Sequence, residues 1–103
     1  MGKLVRDKIP DIIRNDGKKP ITRILQDDEY LAELKKKAVE EAKEFEAALT
    51  KENMVEELAD QMEVILACLK AIDVSAEKLE EVRLQKSENK GGFSKRIFWE
   101  GNE

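Results

Sequence analysis

The sequence predicts a mainly all-α protein, an antiparallel bundle of about four helices completed by oligomerisation. Three observations point there. Apolar residues recur at helical spacing through two long stretches, 27–49 and 51–72. Aromatic residues are few, only Tyr30, Phe45, Phe93, Phe98 and Trp99, so the interior must come from Leu, Ile, Val, Met and Ala, which suit packed helices. The 103 residues read as one domain, 1–103, small enough that much apolar surface stays uncovered until copies associate.

Taken in order, Ile9, Ile12 and Ile13 mark a short first helix, with Pro10 tolerated in its first turn and Gly17 placed to end it. Ile21 to Leu25 carries β-branched and apolar residues after Lys18-Lys19-Pro20 and suits a brief strand or an extended connector. Its partner, as a short terminal β-element, is Lys95 to Trp99. A long helix runs from an Asp27 or Asp28 cap to about Leu49, with Leu31, Leu34, Ala38, Ala42, Phe45 and Leu49 facing inward. Thr50 caps the next helix, which continues to about Ile72 with Met54, Leu58, Met62, Ile65, Leu69 and Ile72 inward. With so short a turn around Thr50 the two helices must be antiparallel neighbours. A last helix follows Ser75, carries Leu79, Val82 and Leu84, and fades near Ser87. Asn89-Lys90-Gly91-Gly92 then forms a loop whose glycines permit close backbone approach to a ligand.

The chemistry-bearing residues lie on the two long helices. Glu41 and Glu44 sit three apart, as do Glu57 and Asp60, so each pair projects from nearly one face of its helix. On a helical wheel Glu41 falls roughly 60° and Glu44 roughly 120° from the centre of the apolar stripe, and Glu57 and Asp60 lie along the edge of theirs. An antiparallel pairing brings the four together near the turn. Like charges that close repel, and a hard divalent cation, Mg2+ or Mn2+, is what neutralises them best. The plain alternative for Glu41 and Glu44 is a solvated face, with Lys36–Glu40 and Lys37–Glu41 as ordinary i,i+4 pairs. Asp60 resists that reading, since Asp is a poor residue inside a long apolar-periodic helix with no terminus to cap.

Composition excludes several function classes. Charged residues make up 41% of the chain with a net charge of −4, which argues against binding a nucleic-acid polymer. There is no histidine and a single cysteine, Cys68, so internal disulfides, the usual zinc sites and histidine-based triads are out. Oxygen-only ligands also suit Mg2+ or Mn2+ better than redox iron. The N-terminus has no apolar stretch of signal-peptide length, and Arg6 stands where a myristoylation motif wants Ser or Thr. The expected location is cytoplasmic, without membrane attachment.

The order E-E-x-x-E over Glu40 to Glu44, twelve intervening residues, then E-x-x-D over Glu57 to Asp60 resembles the signature of the MazG-type all-α nucleoside triphosphate pyrophosphohydrolases. The opening Lys3-Leu4-Val5-Arg6-Asp7-Lys8-Ile9-Pro10 is similar to the start of a small stand-alone, phosphoribosyl-ATP pyrophosphohydrolase-like branch, so the resemblance spans most of the chain. It implies that Glu41, Glu44, Glu57 and Asp60 bind Mg2+, with Glu41 also catalytic and Glu40 an accessory carboxylate that orients water or a second ion; by its chemistry a carboxylate such as Glu40 can also accept the proton of that water. The implied reaction cleaves a nucleoside triphosphate between its α and β phosphates, giving a nucleoside monophosphate and pyrophosphate.

One metal cannot offset a triphosphate's charge, and the cations expected to assist are Lys86, Lys90 and Arg96 around the Gly91-Gly92 loop, where family members carry basic residues. Arg6 and Lys8 are weaker candidates that equally serve to tether the N-terminal segment to the acidic helices. The chain is shorter than many family members and shows no obvious phosphoribosyl site. A house-cleaning role on non-standard nucleotides is therefore preferred to phosphoribosyl-ATP as substrate. Homodimers or homotetramers are expected. The rival from another class is a non-catalytic helical self-association module, which would leave stability and nucleotide binding indifferent to Mg2+.

Overall fold

The computed structural model describes residues 2–103, in four helices and, among these residues, no strand: α1 (Ile9–Asn15), α2 (Asp27–Ala47), α3 (Lys51–Ala71) and α4 (Ala76–Lys90). The chain divides into two compact units, one ending at Asp73 and the other spanning Val74–Glu103.

The first unit is built on the α2·α3 pairing. Helix α1 carries Pro10 in its first turn, where a missing N–H costs nothing, and ends in a turn closed by Gly17 at φ 83°. Residues 18–26 have no regular structure. Ile21 and Ile24 are almost wholly exposed, so the expected strand over 21–25 is not formed: with no face to bury and no ladder to join, β-branched residues alone do not make one. Arg23 instead makes a two-pronged hydrogen bond to Glu29 in the first turn of α2. That helix starts after Gln26, and Asp28 accepts from the Glu29 N–H rather than closing the helix end as a cap.

Three residues, Ala48 to Thr50, join α2 to α3, and the Thr50 hydroxyl accepts the Asn53 N–H at 3.1 Å, capping α3. The interior between the helices is small: Leu34, Val64 and Leu69 are its buried apolar residues. Of the inward stripe expected on α3, Leu69 is buried, but Leu58, Met62, Ile65 and Ile72 are exposed, and the inward face is rotated to Glu57, Asp60, Gln61, Val64, Ala67 and Cys68, which are buried or half-buried. On α2, Leu49 lies past the helix end and is 90% exposed. Glu41, Glu57 and Asp60 therefore lie on the face where the helices meet rather than along its margin, while Glu44 stays on the exposed edge. Asp73, at φ 57°, turns the chain sharply just after α3.

In the second unit Ser75 caps α4 through the Lys78 N–H at 3.1 Å, and Gly91, at φ 84°, closes it with a hydrogen bond to the Ser87 carbonyl. None of its side chains is buried, and Leu79, Val82 and Leu84 are exposed. Residues 95–99 are irregular, not a strand, with Ile97, Phe98 and Trp99 exposed. The Trp99 indole N–H donates locally to the Gly101 carbonyl and Asn102.

Candidate metal centre

Helix geometry and a short turn converge on one spot. Glu41 and Glu44 descend the last turns of α2 while Glu57 and Asp60 climb the first turns of α3, and each contributes a carboxylate oxygen to a group whose members all lie within 4.8 Å of one another. Glu41 is buried, Glu57 and Asp60 are half-buried and Glu44 is exposed, so the group opens to solvent on one side. At such a separation two unit charges repel by about 3 kcal/mol at an effective dielectric near 20.

The molecule answers that repulsion only in part. Burial first, then the neighbouring Glu44 carboxylate and the charge of Asp60, push the Glu41 carboxyl up to about 7 against a smaller pull from Lys37. The Glu57 carboxyl is raised as well, by burial first and then by Glu44, Asp60 and Glu56. Arg6 Nη2 donates to Asp60 Oδ1 at 2.6 Å, and Lys37 Nζ stands 3.9 Å from Glu41 Oε1. Two members each keep an oxygen, Glu41 Oε2 and Glu57 Oε2, that is buried with no hydrogen-bond partner. Orphaned buried carboxylate oxygens are costly, and an all-oxygen donor set of this kind fits a hard divalent cation such as Mg2+ or Mn2+.

Glu40 stands outside the group of four, with Lys37 Nζ at 3.4 Å and Lys3 Nζ at 3.9 Å, beside a small cavity lined by Gly2, Lys3 and Leu4. Lys86 and Lys90 project from α4 and Arg96 lies beyond it at φ 59°, all three exposed in the second unit.

The N-terminal segment forms part of the same site. A cavity of about 380 Å³ opens between residues 4–8 and the helix pair, with Tyr30, Leu34 and Val64 as apolar lining and Glu41 and Asp60 in its wall. The tether expected of Arg6 is present, joining positions 54 apart. Lys37, which spacing alone marks as an i,i+4 partner of Glu41, lines the same cavity. Gln61 reaches across from α3 to the Glu41 carbonyl at 3.4 Å, a contact no local pattern signals.

An uncharacterized protein of Mycolicibacterium smegmatis is 48% identical over 56 residues, covering 54% of this chain and 57% of that protein, so the match spans little more than half of the relative's length. No solved structure matches. Residues 8–87, which contain both carboxylate pairs and all four helices but for the last turn of α4, match the phosphoribosyl-ATP pyrophosphohydrolase family. The chain belongs to that family, within the MazG-like all-α nucleoside triphosphate pyrophosphohydrolases.

Proposed function

We propose that this protein is a Mg2+-dependent nucleoside triphosphate pyrophosphohydrolase that releases nucleoside monophosphate and pyrophosphate, acting in house-cleaning on non-standard nucleotides. One observation carries the reading: four carboxylates from two helices share a site with oxygens within 4.8 Å, two of them retaining a buried oxygen that no protein group satisfies. Family membership supports the kind of reaction.

Glu41, Glu44, Glu57 and Asp60 are the residues that would hold the metal. When bound, it supplies charge neutralisation at the phosphoryl oxygens and lowers the pKa of water. The remaining work falls to the chain. Asp60, fixed by Arg6, and Glu41, fixed by burial, orient their oxygens toward one centre. Glu40, next to the group but not in it, accepts the proton from the attacking water, with Lys3 and Lys37 compensating its charge. The chain works as a homodimer or homotetramer, its exposed apolar α3 stripe covered by another copy.

The test is pyrophosphate release measured with Mg2+ across standard and modified nucleoside triphosphates, with phosphoribosyl-ATP included because the family bears its name. Glu57→Ala and Asp60→Ala should each cut turnover by about two orders of magnitude or more, the scale of losing an electrostatic stabiliser of the transition state. Both variants should stay folded in divalent-free buffer, because each removes a repelling charge. Turnover of phosphoribosyl-ATP alone would replace the house-cleaning role. Absence of turnover on every substrate, with a melting temperature indifferent to Mg2+, would leave a helical association module.

A further inference from the structure

We propose that the N-terminal segment, residues 2–8, is a phosphate-binding strap, with Arg6 and, from α2, Lys37 as the cations that receive the polyphosphate tail of the substrate. The inference rests on the pyrophosphohydrolase reading for its ligand, and it moves phosphate recognition away from Lys86, Lys90 and Arg96.

Three observations converge. First, the larger cavity of the first unit, about 380 Å³, has two of the four clustered carboxylates in one wall and the strap in the other, so a ligand entering it touches both. Its volume falls at the small end of small-molecule sites. It suits a phosphate chain with the nucleoside projecting outward. Second, the lining sets Arg6, Lys8 and Lys37 against four carboxylates, Glu41 and Asp60 among them. A bare polyanion meets no net attraction there, whereas a phosphate chain arriving with a divalent cation brings the charge that the carboxylates lack. Third, Arg6 is held in place yet has donors to spare. Its Nη2 bonds Asp60 at 2.6 Å, and among the described residues that is the one hydrogen bond its guanidinium makes. A guanidinium has five N–H donors in a rigid fork matched to phosphate, so one end can stay on Asp60 while the rest face the cavity.

Arg6 thus stands between two partners. It shares Asp60 with any cation that enters the carboxylate group, and it contacts the anion that accompanies that cation. Removing it should weaken binding of the anion without weakening that of the cation, whereas loss of a merely structural tether would weaken both.

The experiment uses the full chain as wild type, Arg6→Ala, Arg6→Lys, Lys37→Ala and a triple Lys86→Ala, Lys90→Ala, Arg96→Ala variant. Calorimetric titration with inorganic tripolyphosphate in Mg2+ reads the anion site, and Mn2+ titration without phosphate, followed by electron paramagnetic resonance, reads the carboxylates. Arg6→Ala should weaken tripolyphosphate binding at least tenfold and leave Mn2+ binding unchanged or tighter. Arg6→Lys should recover part of the loss, and Lys37→Ala should also weaken the anion. The proposal is overturned if wild type does not bind tripolyphosphate, if Arg6→Ala binds it normally, if Arg6→Ala weakens Mn2+ and tripolyphosphate together, or if the triple variant alone loses the anion. Should Arg6-dependent tripolyphosphate binding persist while no nucleotide yields pyrophosphate, the strap stands and the enzymatic reading falls.

Discussion

Glu41 concentrates the electrostatic problem of this protein in one side chain. Its carboxyl, pushed up to about 7 by burial and by Glu44, holds a proton in the folded chain that the unfolded chain gives up near the ordinary value of 4.5. Between those two values the folded state binds more protons, so stability falls as pH rises through that window and levels off above it. The raised Glu57 carboxyl acts in the same direction. In chelator-containing buffer the melting temperature should drop from about pH 5 to about pH 7.5, and Glu41→Gln should flatten the profile. Mg2+ should restore stability mainly at the upper end, where the ligands are ionised. A melting temperature that rises across this interval without divalent ions would contradict the shift. These four residues were legible in the sequence because three-residue spacing on a helix is a local property. A tether from Arg6 to the acidic helices was legible too, but not Asp60 as its partner, since nothing local connects positions 54 apart.

At the level of elements, boundaries were readable to within a residue or two wherever a cap wrote them. Thr50 and Ser75 each accept an N–H three residues on, as their sequence positions suggest. Thr50→Ala should cost about 1 kcal/mol. Calorimetric melting should show it as a drop of about 4–8 °C, and Thr50→Ser should retain most of the stability. The face of α3 that meets α2 was harder to read. That helix carries apolar residues on two sides, and the side richer in them, Leu58, Met62 and Ile65, is not the one turned inward. Hydrophobic periodicity assigns the interior to the most apolar stripe, whereas here Val64 and Leu69 with the small Ala67 allow close approach and the carboxylates occupy the rest. The β-element failed for a related reason: a strand is defined by its partner, and composition within 21–25 says nothing about whether one arrives.

For the whole molecule the unanswered quantity is apolar surface. Val55, Leu58, Met62, Ile65 and Leu66 are each at least 42% exposed along one side of α3, and a contiguous stripe of this kind signals association where scattered residues would not. Light scattering after size exclusion should therefore give a dimeric or tetrameric mass, and Val55→Glu combined with Met62→Glu should give the monomer; a monomeric wild type would refute the proposed assembly. No helix among the described residues is long and apolar enough to cross a membrane. The three-residue turn between α2 and α3 has a kinetic corollary. Only twelve residues separate Glu44 from Glu57, so the acidic groups collide when that hairpin first closes, as early as any event in the folding of a chain rich in near-neighbour contacts. Divalent ions should then speed refolding itself and not merely slow unfolding, a difference that the two arms of a chevron plot recorded with and without Mg2+ would separate.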